Sequence, residues 1–154
     1  MLTLFRYNWQ VREEWFDWCE GVPDEDFTRE RIGGVGSFLR TLWYIVDSEY
    51  SWIRATVEEP DVQLPFERYQ TLSQVRALSN TCHHEICPVI EQWTPDMDSK
   101  KVHASWRPGE TFSSEQVFRH VIAHEIHHMG QLSIWARDIG REPVSANLLD
   151  RSLG

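Results

Sequence analysis

Residues 120–132 read HVIAHEIHHMGQL and contain four of the seven histidines of the 154-residue chain. On an α-helix, where successive residues are rotated by about 100°, one narrow face carries Val117, Val121, His124, His128, Leu132 and Trp135. An apolar face of this kind packs against the core of a helical protein. The stretch therefore predicts a core-facing helix with two histidines on its buried side, while His120 and His127 lie at the edge of that side.

Apolar periodicity predicts four long helices, over about residues 2–20, 37–58, 71–94 and 113–139. Ser37 is a suitable N-cap for the second helix, and Thr71 and Ser113 each begin a capping-box pattern. Gly140 fits the position that ends the last helix. Four helices of about 20 residues predict an all-α four-helix bundle of the up-down type. We expect a longer connection before the fourth helix and an extended C-terminal segment over residues 141–154.

The composition is that of one globular domain spanning residues 1–154. The net charge is −9, with no run of basic residues, which argues against nucleic-acid binding. No apolar stretch approaches the roughly 20 residues of a membrane span, and the start of the chain lacks the layout of a signal peptide. Three cysteines, an odd number, suit reduced thiols. We therefore expect a cytoplasmic protein that binds neither nucleic acid nor membranes.

The pair His124 and His128 is a candidate metal site. The two residues are one helical turn apart, so their rings can converge on one ion. A polar group on a buried face is costly without a partner, and neutral imidazole is the commonest metal ligand. The alternative is a pair of core histidines with hydrogen-bond partners. We expect His120, His127 and Glu125 to lie around the ligands without binding the ion.

Glu49 is a candidate for a further ligand because it lies within the apolar face of the second helix, where carboxylates are unusual. That face consists of Phe38, Leu42, Val46, Ile53 and Val57. The alternative for Glu49 is an ion pair with a buried arginine or a hydrogen bond to one of the two histidines.

Residues 124–128 also match the HExxH signature, which predicts a zinc hydrolase with Glu125 as general base. Such enzymes need a further ligand, and no histidine follows His128. Glu125 also falls at the edge of the apolar face. We therefore keep the zinc hydrolase only as an alternative.

Two stretches of the chain resemble the DinB-like proteins, a mostly bacterial family of helical bundles proposed to be metal-dependent enzymes. They are HVIAHEIHHMGQLSIWARDIGREPVSANLL, residues 120–149, and GSFLRTLWYIVDSEYSWI, residues 36–53. The resemblance implies a four-helix bundle with a divalent metal ion, zinc or nickel, held by three histidines. Two of these correspond to His124 and His128, and the third corresponds to Tyr44.

Tyr44 departs from the family pattern, because tyrosine is a poor ligand for zinc or nickel at neutral pH. Three arrangements are open. The ion is held by the two histidines with Tyr44, or by the two histidines with Glu49 or water, or the chain has lost the ion.

The resemblance also implies a function. Some relatives are thiol-dependent transferases or isomerases that use a low-molecular-weight thiol such as mycothiol or bacillithiol. This implies a metal-dependent enzyme that acts on small electrophiles, in which the metal ion lowers the pKa of the thiol. It also implies a homodimer. The alternative is a non-catalytic, stress-related bundle or binding module with a degenerate metal site.

Overall fold

The computed structural model describes residues 1–153, which form five helices and one small hairpin besides two short 3₁₀ turns. The elements are α1 (Leu2–Glu20), α2 (Asp24–Thr28), α3 (Phe38–Thr56), α4 (Leu72–Glu91), β1 (Lys101–Val102), β2 (Phe112–Ser113) and α5 (Ser114–Asp138). The four long helices confirm the predicted all-α bundle. No helix in this part of the chain is both long and apolar enough to cross a membrane.

Side-chain caps set where three of the long helices begin. The hydroxyl of Ser37 accepts a hydrogen bond from a backbone N–H in the first turn of α3. Complete capping boxes join Thr71 to Gln74 before α4 and Ser113 to Gln116 before α5. These bonds satisfy N–H groups that the first turn of a helix leaves free. The helix starts therefore agree with the sequence prediction to within one residue.

The long helices run up, down, down and up, which corrects the predicted up-down alternation, because α3 and α4 are parallel. The end of α1 shares a core cluster with the start of α3 and the end of α5. The later parts of α3 and α4 meet where the Tyr50 hydroxyl donates a hydrogen bond to Glu85. Because α3 and α4 run in the same direction, the connection 57–71 returns along the outside of α3. There the indole of Trp43 donates a hydrogen bond of 3.0 Å to the Leu64 carbonyl.

The segment between α4 and α5 contains the hairpin. β1 and β2 pair antiparallel, with Val102 opposite Phe112. The loop between the two strands carries Trp106, whose ring centroid lies 5.1 Å from that of Trp52 on α3. The hairpin thus places an aromatic side chain against the outer face of α3.

The C-terminal residues 141–153 form the expected extended segment, which lies against α1. The Tyr7 hydroxyl donates a 2.8 Å hydrogen bond to the carbonyl of Ala146. Arg151 donates two hydrogen bonds, of 2.7 and 2.8 Å, to the carboxylate of Glu14. The segment is therefore fastened to the bundle by side chains of the first helix.

A buried ionic network joins α1, α3 and α5 at the centre of the bundle. The guanidinium of Arg12 donates hydrogen bonds of 2.7 Å to both oxygens of Glu125 and to one oxygen of Glu49. The indole of Trp9 donates to the other Glu49 oxygen at 2.8 Å. All three charged side chains are at most 2% exposed. Burial raises the pKa of Glu125 to about 7, against the lowering effect of Arg12.

We predict that Arg12→Ala destabilises the fold by about 3–5 kcal/mol, because it leaves two buried carboxylates without their cation. Urea unfolding at pH 7.5 measures this loss. The matched control is Arg119→Ala, which removes an exposed arginine paired with Glu115 on the same helix, and which should cost less than about 1 kcal/mol. An equal loss in the two variants would contradict the structural importance of the network.

Candidate metal centre

Helix α5 presents two histidine rings to the outer part of α3. The ring centroids of His124 and His128 lie 4.5 Å apart. The ring of Tyr44 lies 5.0 Å from the first and 5.2 Å from the second. His128 is buried, and His124 and Tyr44 are half-buried. The structure thus brings together the three residues that the sequence and the family resemblance nominated for the metal.

Burial keeps both imidazoles of this pair neutral at pH 7. It lowers the pKa of His124 to about 4, and the neighbouring His128 acts in the same direction. Burial also lowers the pKa of His128, and this effect is partly offset by the hydrogen bond that the ring donates to Gln131. A neutral imidazole keeps one nitrogen lone pair, which can accept a proton or bind a metal ion.

Gln131 determines which nitrogen of His128 carries the proton. Its Oε1 lies 2.8 Å from Nδ1 of His128, and its Nε2 lies 3.3 Å from Nε2 of His127. An amide oxygen can only accept, so Nδ1 of His128 is the donor and its Nε2 keeps the lone pair. The sequence prediction missed Gln131, although its position three residues after His128 places the two on one side of the helix.

Gly34, in the connection between α2 and α3, leaves space for the side-chain amide of Gln131. The backbone there has a φ of +54°, and a Cβ at this position would lie 2.1 Å from the Gln131 oxygen. Any larger residue would displace the amide that orients His128. The positive φ favours glycine at residue 34, and the absence of a Cβ leaves the Gln131 amide in its place beside His128.

The Nε2 atom of His124 is buried and has no hydrogen-bond partner within residues 1–153. Buried polar atoms without partners are rare and costly. This nitrogen is therefore the observation on which we judge whether the residues fit a metal ion. Two neutral imidazoles beside a phenol provide nitrogen and oxygen donors of the kind that zinc and nickel accept. No cluster of three or more His, Cys, Asp or Glu side chains suited to an ion occurs in the described part of the chain. The fit therefore comes from two histidines, with Tyr44 as the adjoining third group.

The two predicted carboxylates belong to the central ionic network instead. Both oxygens of Glu49 accept hydrogen bonds from Arg12 and Trp9, so the ion-pair alternative describes this residue. Glu125 is likewise held by Arg12, which corrects the expectation that it surrounds the histidines. The reason is that neighbouring helix residues project about 100° apart. The HExxH interpretation is not supported, because a carboxylate held in this way cannot act as general base beside His124.

His120 and His127 are exposed and lie on either side of the pair. The ring of His120 lies 5.7 Å from that of His124 and 5.5 Å from that of Trp52. The ring of His127 lies 5.1 Å from that of His128. The four histidines of α5 thus form a continuous row along the helix, with the pair at its centre.

A cavity of about 470 Å³ adjoins the pair through Tyr44. It lies between the outer face of α3 and the returning connection 57–71, and Trp106 of the hairpin loop closes one part of it. Its volume is in the range of small-molecule pockets. The histidine pair therefore stands next to a compartment that could hold a substrate.

The low pKa of His124 predicts a specific pH dependence of stability. The folded protein binds a proton there only near pH 4, whereas the unfolded chain does so near pH 6.5. The contribution of neutral His124 to folding stability is therefore complete above pH 6.5 and is lost as the pH falls toward 4. Between pH 7.5 and 5, chelator-treated wild-type protein should lose about 1–2 kcal/mol more stability than His124→Phe, allowing for partial exposure.

Urea unfolding at the two pH values measures this difference. The control His103→Phe replaces an exposed histidine of the hairpin loop and should keep the wild-type pH dependence. If His124→Phe also keeps it, the ring of His124 is not buried as neutral imidazole.

These features define a class of protein, a four-helix bundle whose last helix carries one buried and one half-buried histidine, side by side and facing the second long helix. The profile of the DinB family matches residues 1–152. The chain belongs to the DinB family, which confirms the resemblance found in the sequence.

Two individual proteins are similar to this chain. The protein described as "Uncharacterized protein YizA", from Bacillus subtilis (strain 168), is 44% identical over 153 residues, which cover 99% of this chain and 96% of that protein. The crystal structure of a DinB-like protein from Bacillus cereus ATCC 10987 superimposes with a TM-score of 0.64 at 17% identity. The match covers 90% of this chain and 93% of that one. At this identity the second similarity concerns the fold.

Proposed function

We propose that His124 and His128, with Tyr44, bind a divalent metal ion, zinc or nickel. We propose further that the protein is a metal-dependent enzyme acting on a small electrophile in the adjoining cavity. The observation that carries the proposal is the buried Nε2 of His124, which has no partner and lies beside a second neutral imidazole. A metal ion would give that nitrogen a partner and would use the lone pair that Gln131 leaves on His128.

Each side chain has a definite task at such a site. His124 and His128 contribute neutral nitrogen donors, and Gln131 holds the ring of His128 through Nδ1. Tyr44 contacts both rings and forms the boundary between them and the cavity. When bound, a divalent ion supplies Lewis acidity, which polarises a substrate oxygen or lowers the pKa of a thiol.

The chain's own cysteines are unsuited to act as the nucleophile. Burial raises the pKa of Cys19 and of Cys82 to about 12, and it also raises that of Cys87. Thiols of this kind stay protonated at neutral pH and react slowly. A thiol-dependent reaction would thus need an external thiol. A low-molecular-weight thiol is therefore the second substrate that we propose.

One observation favours a second candidate, a non-catalytic bundle with a degenerate metal site. Only two histidines and a phenol meet at the centre, whereas catalytic zinc sites have three protein ligands of the His, Cys or carboxylate type. A phenol binds an ion well only after losing a proton, and its ordinary pKa is about 10. In this alternative the cavity would bind a ligand without converting it.

Elemental analysis separates the two candidates. Protein purified without a histidine tag and without chelator should contain close to one zinc or nickel ion per chain. His124→Ala and His128→Ala should lose this ion, and the control His103→Ala should retain it. A wild-type protein without any ion, together with unchanged thermal stability of His128→Ala, would favour the non-catalytic bundle.

Tyr44→His should tighten metal binding at least about tenfold, because it exchanges a weak ligand for a third imidazole. Competition with a coloured chelator measures the affinity. Tyr44→Phe is the matched variant, since it keeps the ring and removes only the hydroxyl. An affinity that Tyr44→His leaves unchanged would mean that residue 44 does not face the ion.

A further inference from the structure

Three carboxylates line the cavity beside Tyr44, of which Glu67 is exposed, while Asp47 and Asp61 are half-buried and have no cationic partner among the described residues. Asp47 projects from α3 and Asp61 from the returning connection. One oxygen of Asp61 accepts a 2.6 Å hydrogen bond from the amide of Gln63. Its other oxygen, Oδ1, is buried and has no hydrogen-bond partner in residues 1–153. This part of the cavity therefore offers unused acceptors.

The two carboxylates also influence each other. Burial raises the pKa of Asp47 to about 6, and the charge of Asp61 acts in the same direction. No neighbouring cation counteracts these two effects. A positive charge that entered the cavity would be attracted by both groups and would offset their mutual repulsion.

Aromatic rings form much of the remaining wall. They are Trp43, Tyr44, Trp52, Phe66 and Trp106. The ring centroids of Trp43 and Phe66 lie 5.3 Å apart, and those of Trp52 and Trp106 lie 5.1 Å apart. Aromatic faces attract cations, and tryptophan does so most strongly.

Arg40 is the one cation among the residues that line the cavity. It is exposed, and its guanidinium lies 5.0 Å from the centroid of the Phe66 ring. Arg40 therefore illustrates the attraction of this wall for positive charge, while Asp47 and Asp61 stay without a partner.

We propose that this cavity binds the positively charged group of a small organic molecule, an ammonium or quaternary ammonium group. Asp47 and Asp61 are the counter-ions, and the tryptophan rings enclose the charged group. The proposal that such a molecule is the enzyme's substrate rests on the proposed function, because Tyr44 would place the rest of the molecule beside the histidines. The proposal that the cavity binds an organic cation does not require the metal ion.

Choline and its neutral isostere 3,3-dimethylbutan-1-ol test the proposal in chelator-treated protein. The two molecules share a shape and differ by the charge. Choline should bind at least about tenfold more tightly, because only the charged molecule interacts with the carboxylates and the ring faces. Tryptophan fluorescence reports binding, since three tryptophans line the cavity, and calorimetry gives the affinity.

Asp47→Asn and Asp61→Asn should each weaken choline binding at least about fivefold and leave the affinity for the neutral isostere unchanged. Both changes preserve side-chain shape, and circular dichroism with thermal unfolding checks the fold. Asp96→Asn removes a charge from an exposed residue outside the cavity and serves as the control, with choline affinity unchanged.

Equal affinities of the wild-type protein for choline and the isostere overturn the proposal, whatever the variants do. Folded Asn variants that keep the full preference for choline also overturn it. A protein that contains a metal ion but shows no preference refutes the cation site and leaves the proposed function intact. A preference for choline in a protein that never acquires metal supports the cation site and refutes the metal-dependent function.

Discussion

The bond between Arg12 and Glu125 determines how the last helix is rotated, and the candidate site depends on that rotation. Glu125 must face α1 to reach its guanidinium, and this bond is 2.7 Å long at the centre of the core. Residues 124 and 128 then project about 100° and 60° to one side of residue 125, toward α3. A buried charge that lost its partner would be strongly unfavourable. The ionic network therefore holds the two histidines beside Tyr44.

Periodicity and caps were sufficient to predict the four helices and the inward histidine pair. Periodicity and caps could not predict the direction of α4 relative to α3, because the connection 57–71 is long enough for α4 to run either parallel or antiparallel to α3. Fifteen residues can span roughly 50 Å, whereas a helix of the length of α3 measures roughly 28 Å. In α1, apolar spacing predicted a face that includes Tyr7, Val11 and Trp15, which are buried, and Leu4, which is exposed. Asn8 and Arg12 are also buried, and apolar periodicity could not identify them because both are polar.

The site could be predicted only in part for related reasons. A carboxylate in an apolar helix face has two common partners, a metal ion or a buried arginine, and the sequence of α3 does not distinguish between them. Glu49 belongs to the second case. Tyr44 lies off the apolar face of its helix, so periodicity could not nominate it, and the family resemblance did. Gln131 was missed because an amide next to a histidine has no distinctive pattern.

Tyr44 connects the two halves of the proposed site, because it contacts both imidazoles and also lines the cavity. Under the proposed function, two imidazoles with a phenol, which is a weaker ligand than imidazole, would leave more of an ion's coordination sphere to external donors than three histidines would. A small molecule could then bind the ion through its own donor atom. Such a molecule would increase the affinity for the metal more at this site than at a site with three histidines. Such linkage is reciprocal, so metal would in turn tighten the binding of that molecule. The same ring gives the cavity an aromatic wall, which a histidine at residue 44 would replace with a more polar surface. Under the proposed function, the phenol would thus weaken metal binding and favour ligand binding at one position, and this joint effect would be a physical reason for tyrosine to stand there.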